Sequence, residues 1–256
     1  MLSLRKKTPT SDKSPSKTPA ADLPNSKPSR PPSMSFSRSP LVVLYVGEER
    51  QAFTVHRDIL VGQSQYFRAL LLGGFKEAET NEVIWDNEQV DAVETMITFL
   101  YKGTLPTEMH STTQAAVDHI LNYYTLALKR DLPAFQNALS RNYRQFNKAH
   151  PCGQAARLVE MYDRDLLETQ MWKYAIAMFV YDLMAVSTKT HPEKITYANT
   201  EFKCELAEFS NNAEVMQGVL ALIVEWRTKP WSDPSNTNNE AVNKWYEVVL
   251  DDIESL

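Results

Sequence analysis

Five histidines and two cysteines are spread along the 256 residues, and only His150 and Cys152 stand close enough to begin a metal site. A tetrahedral zinc site needs a second such pair, and no other His/Cys pair lies near this one. Carboxylates cluster at Asp163-Arg164-Asp165 and at Asp251-Asp252, where they read as solvated helix faces. Seven glycines occur, and none has the spacing of a phosphate-binding or dinucleotide-binding loop. The Gly-x-Ser-x-Gly nucleophile turn is also missing. His56 sits where a β-patterned run passes into a helical one, a place suited to packing and hydrogen bonding. No catalytic residue, metal ligand or cofactor is therefore assigned, and the chain is not expected to be an enzyme.

The elements that carry these residues begin abruptly at Leu41. Leu41 to Val46 is a β-branched and aromatic run closed by Gly47, which reads as a buried strand. After a polar turn over Glu48 to Gln51, Ala52 to Val55 returns as a second strand, giving a hairpin. From Arg57 the period becomes helical: Ile59, Leu60, Phe67, Leu70 and Leu71 fit two short helices, with Ser64 capping the second and Gly73-Gly74 ending it. Val83 to Trp85 is a third short strand. Asn87 is expected to cap a helix bearing Val90, Val93, Met96, Ile97 and Leu100, which Gly103 and Pro106 terminate.

Two more helices follow, around Ala116 to Ala127 and Leu132 to Phe146. Clustered helices after a few early strands make an α+β domain. Beyond it, Ala155 to Met184 reads as helical with faces wide enough for full burial, and Asn212 starts a helix with Val215, Val219, Leu222 and Ile223. Pro230 to Asn239 reads as a loop, and Ala241 to Ile253 as a last helix.

Residues 41 to 135 resemble the BTB/POZ family. Its opening strand and glycine match Val43 to Gly47, and its phenylalanine-led strand ending in His-Arg matches Phe53 to Arg57. Ile59-Leu60, Ser64-Gln65-Tyr66-Phe67, Phe75-Lys76-Glu77 and Phe99-Leu100-Tyr101-Lys102-Gly103 follow in the family's order, and Leu126-Ala127 through Phe135 is similar to its closing helical pair. The resemblance implies a BTB/POZ fold, a small sheet with clustered helices, over 40–146. It leaves a disordered tail over 1–39 and an all-α region over 147–256. A chain of this layout is similar to short BTB proteins common in fungi.

The resemblance also implies protein-interaction residues. BTB adaptors that bind cullin scaffolds of ubiquitin ligases carry an apolar-x-acidic motif in the loop occupied here by Phe75 and Glu77. Phe75 would then enter a cullin pocket beside a hydrogen-bonding Glu77; alternatively it covers the domain's own core. Arg57 is either an interface residue or a solvated helix-end charge. In many dimeric relatives an Asp before the first strand pairs with this arginine. Leu41 stands in its place, which puts that form of homodimer pocket in question and leaves other dimer geometries open.

Charge sharpens the choice of partner. Eight basic residues against two acidic ones give +6 before Pro40, and with a net charge of −5 the remainder carries −11. An acidic body argues against a nucleic-acid-coating surface, leaving at most weak contact through the basic tail. The tail is Ser-, Pro- and Lys-rich and too poor in apolar groups to fold. It holds four Ser/Thr-Pro pairs, at Thr8, Ser14, Thr18 and Ser39, of the form read by proline-directed kinases.

The opening Met-Leu-Ser-Leu-Arg-Lys-Lys lacks the apolar core of a secretory signal, and its prolines oppose an amphipathic transit helix. The most apolar stretch, Tyr174 to Tyr181, is far short of the ~20 residues of a membrane span. The expectation is a protein of nucleus or cytoplasm without a membrane segment. It would bind protein partners by self-association or as substrate adaptor of a cullin-based ubiquitin ligase. The alternative is a transcription or chromatin regulator acting through partners, with Arg5-Lys6-Lys7 as a weak import or nucleic-acid segment.

Overall fold

The computed structural model describes residues 38–110, 114–149, 154–187 and 212–226, together with Pro234 and Tyr246. The tail, the His150/Cys152 pair, most of the 230–239 loop and most of the helix expected from Ala241 lie outside these residues.

Three strands form one sheet: β1 (Leu41–Val46), β2 (Gln51–His56) and β3 (Glu82–Trp85), in the order β2-β1-β3. β1 runs antiparallel to β2, with Leu41 opposite His56 and Val46 opposite Gln51. It runs parallel to β3, with Val43 opposite Glu82 and Val46 opposite Trp85. Gly47, at φ +74°, and Arg50, at φ +51°, make the hairpin turn.

β1 differs from the strand expected to be buried throughout. Val42, Leu44 and Val46 are buried, whereas Leu41 is exposed and Val43 and Tyr45 are half-buried. The period-2 alternation of side chains explains it, because helices cover only one face of the sheet. Val55, Val83 and Trp85 join the covered face.

That covering includes α1 (Arg57–Gln63), α2 (Gln65–Leu72) and α4 (Val90–Lys102), each of which buries apolar residues, whereas the short α3 (Lys76–Thr80) buries none. Ser64 Oγ accepts the Phe67 N–H at 3.0 Å, the expected cap of α2. Gly73 closes α2, and a Cβ there would collide with the Ala69 carbonyl oxygen. Gly103, at φ +70°, closes α4.

The cap expected at Asn87 is corrected: α4 starts at Val90 with Gln89 in the cap position and no side-chain cap bond. The Glu88 N–H turns back to the Trp85 carbonyl at 3.3 Å, which keeps Asn87 within the preceding turn.

A 3-10 turn (Thr107–His110) leads to α5 (Gln114–Lys129) and α6 (Pro133–Ala149). The stretch read as continuously helical from Ala155 to Met184 is two helices, α7 (Gln154–Asp163) and α8 (Gln170–Ser187). Between them Asp165 and Glu168 take φ +59° and +63°, and Thr169 Oγ1 caps α8 by accepting the Trp172 N–H at 3.2 Å. Asp165 is therefore a turn residue and not part of a helix face.

Asn212 Oδ1 accepts the Val215 N–H and starts α9 (Ala213–Trp226) as expected. One hydrophobic cluster runs from Val42 to Tyr246. No helix among the described residues is long and apolar enough to cross a membrane.

Candidate protein-interaction site

Phe75 occupies the extended residue before α3, with φ −86° and ψ 157°. Its carbonyl accepts the Ala78 N–H at 3.0 Å and so anchors the helix from the main chain. The ring lies against Gly73 and is 57% exposed. It does not cover the domain's own core, the alternative raised for it. Leu72 beside it is 55% exposed, so two large apolar groups share this turn. Glu77, in the first turn of α3, is half-buried.

α3 is a single turn because Asn81 adopts the left-handed conformation at φ +55° and ends it. Its N–H returns to the Glu77 carbonyl at 2.9 Å, while its own carbonyl accepts the Val43 N–H at 2.9 Å. Glu77 is thus fixed to β1 through one residue.

Leu41 and Arg57 lie at the same end of the sheet, where β1 begins and β2 ends. The Arg57 N–H donates to the Pro40 carbonyl at 2.8 Å, and the Asp58 N–H to Ser39 Oγ at 3.0 Å. Leu41 is 53% exposed opposite His56. Arg57 is half-buried and forms no ion pair with another described residue, so it keeps water contact without the missing Asp.

The His56 imidazole Nδ1 and main-chain N–H both meet the Tyr101 hydroxyl, at 2.6 and 3.1 Å. Tyr101 is a half-exposed aromatic at this patch that the sequence reading did not single out; it is the tyrosine of the Phe-Leu-Tyr-Lys-Gly segment. Leu41 and Arg57 thus share the end of the sheet where β1 begins and β2 ends, while Phe75 and Glu77 lie on the segment that leads into β3.

Chemistry beyond contact is sparse here. No group of three His, Cys, Asp or Glu suited to a metal ion occurs among the described residues. Asp91 gathers the His119 Nδ1 at 3.3 Å and the Tyr123 hydroxyl at 3.0 Å, but both the His119 and Asp91 side chains are half exposed. Burial, aided by Asp91, raises the Tyr123 hydroxyl to about 12, far from a working general acid at neutral pH. The concavity along α9, about 630 Å³, is lined by Ala213, Met216, Leu220 and Val224 among others, with no titratable group.

The family model for the BTB/POZ domain matches residues 41–137. This segment is a BTB/POZ domain. BTB/POZ domain-containing protein 9 of Homo sapiens and of Bos taurus are each 29% identical to this chain over 93 residues. The mouse protein of that name matches to the same extent. The shared segment is 36% of this chain and 14% of those relatives. The BTB/POZ domain is a protein–protein interaction module, and the small sheet, its helical cover and the exposed apolar ends suit that role.

Proposed function

We propose that the chain is a substrate adaptor whose BTB/POZ domain docks on a cullin scaffold of a ubiquitin ligase through Phe75 and Glu77. The observation that carries this is the exposure of Phe75 on a turn whose main chain is tied to the sheet. An aromatic ring left in water is a ready anchor, since burying a side chain of that size stabilises by about 1.5–3 kcal/mol. Glu77, held two residues further on, supplies an acceptor beside it and fixes orientation. Residues 150 to 256 or the basic tail would then hold the substrate.

Exposed Leu41, half-buried Arg57 and Tyr101, which is bonded to His56, would offer a second surface for self-association. Pull-down of a purified cullin scaffold by the full chain tests the reading. Binding that is lost in Phe75→Ala and Glu77→Ala, with folding intact, supports it; absence of binding by the folded wild type ends it.

A further inference from the structure

We infer that the open edge of β3 is a strand-docking site for an extended peptide with a basic-x-apolar-x-basic pattern. β3 ends the sheet, and among the described residues no strand lies beside its outer edge. The Val43 N–H donates to the Asn81 carbonyl and the Gly47 N–H to the Trp85 carbonyl. These bonds set the parity of the strand: the main-chain groups of Asn81, Val83 and Trp85 face β1. Main-chain groups alternate in direction along a strand, so those of Glu82 and Ile84 point away from the sheet. The Glu82 N–H is taken by Thr80 Oγ1 at 3.3 Å. The Ile84 N–H and carbonyl and the Glu82 carbonyl are left presented outward.

The side chains on this edge choose the occupant. Ile84 is 51% exposed and lies opposite half-buried Tyr45 on the uncovered face of the sheet. Glu82 and Asp86 flank it two residues away on either side, both exposed, and exposed Glu79 precedes them. Asp86 meets Arg50 at 3.2 Å, but both side chains are more than half exposed and such a pair is weak.

Two copies pairing antiparallel about Ile84 would set Glu82 against Asp86 twice, and like charges directly opposite destabilise a sheet. The same acids attract a strand carrying Lys or Arg two residues before and two after its apolar residue. Main-chain bonds would supply affinity and the alternate side chains the selectivity, as in strand addition generally. A short, charged edge is also how proteins prevent self-pairing, which is why the occupant has to be basic.

The test uses the full chain and a fluorescent acetylated peptide with the core Lys-Thr-Val-Thr-Lys, read by polarisation. Saturable binding is expected. N-methylation of the peptide valine, which deletes one main-chain bond, should weaken it by about tenfold. Ile84→Pro deletes the outward N–H at a position where an edge strand tolerates proline and should weaken it similarly, with Ile84→Thr as the fold control. If Ile84→Pro fails to fold, the N-methylated peptide carries the same test on the wild type. Glu82→Lys should weaken the basic peptide, because one of its lysines then meets a like charge. No binding by the wild type, equal binding of the scrambled Lys-Lys-Val-Thr-Thr core, or full binding of the N-methylated peptide would overturn the proposal.

Discussion

The Arg130 guanidinium lies 4.3 Å from the centroid of the Trp85 ring while its Nη2 donates to Glu88 Oε1 at 2.8 Å. The Tyr66 ring centroid lies 5.0 Å from the same guanidinium. The Arg130 carbonyl also accepts the Ser64 hydroxyl at 2.6 Å, so the end of α5, the end of β3 and the start of α2 meet at one residue. The Arg130 and Glu88 side chains are only 16% and 14% exposed. Arg130→Ala would leave Glu88 with Lys129 alone, at 3.9 Å. It should cost about 2 kcal/mol, combining a half-buried pair with a cation–π contact. Arg130→Lys keeps the charge but loses the planar stack, and should cost about 1 kcal/mol. Urea unfolding of the two variants checks both the sign and the order; an unchanged midpoint in Arg130→Ala would contradict the assignment.

For Phe75 the expected signature is separation of binding from stability. The ring is mostly in water, so Phe75→Ala should shift folding stability by no more than about 0.5 kcal/mol. At a central anchor the same change should cost about 2 kcal/mol of binding, or roughly thirtyfold. Glu77→Ala should weaken binding without changing the sheet, because the bond from Asn81 runs to the Glu77 main chain. Titration calorimetry with a purified cullin scaffold, paired with thermal melts, reads both quantities. A large loss of stability in Phe75→Ala would mean that the ring supports the fold after all.

Local rules made much of this architecture legible. The β-branched run at Leu41, the Ser64 cap, the Gly103 stop and the Asn212 cap each depend on residues within a few positions, and each was read at its place. The bond from Ser64 to the Arg130 carbonyl spans 66 residues, and no local pattern announces it. The break between α7 and α8 was missed because it rests on left-handed Asp165 and Glu168, which no glycine marks; Thr169 was the available signal. At the candidate site the motif gave Phe75 and Glu77 their positions, but their exposure depends on where α2 ends against the sheet. Ile84 was hidden in the same way, since one apolar residue in a short strand does not tell which face is covered.

The buried phenols predict a loss of stability at high pH. Burial is the main cause raising Tyr123 and Tyr246 to about 12, and it raises Tyr124 and Tyr143 as well. An unfolded tyrosine ionises near 10, so between pH 10 and 12 the unfolded chain releases protons that the folded one retains. Stability from these groups is fully present below pH 10 and is lost as pH rises through the folded values. Tyr123→Phe removes one such group and should make the alkaline decline shallower. It should also cost about 1 kcal/mol at neutral pH, through loss of the bond to Asp91. Urea midpoints across the alkaline range decide it: a wild-type midpoint flat to pH 12 would be incompatible with these burials.

The boundary expected between residues 146 and 147 falls inside α6, and the packing there leads to a further prediction. α6 carries Gln136, Asn137, Ser140, Asn142, Arg144 and Asn147, all buried. It packs on α5 and on α8. Arg144 is 2% exposed, with the rings of Tyr174 and Tyr246 at 5.5 and 5.9 Å. Asn147 Oδ1 accepts from Arg157 Nη1 of α7 at 2.5 Å. A fragment ending at Phe146 would uncover Phe146 and Tyr143 and strand Arg144 without its aromatic neighbours. At about 2 kcal/mol for each aromatic returned to water, fragment 38–146 should be less stable than chain 38–256 by about 4 kcal/mol and unfold less cooperatively. Equal urea midpoints and equally sharp transitions for the two would show instead that the BTB/POZ domain folds without the helices that follow it.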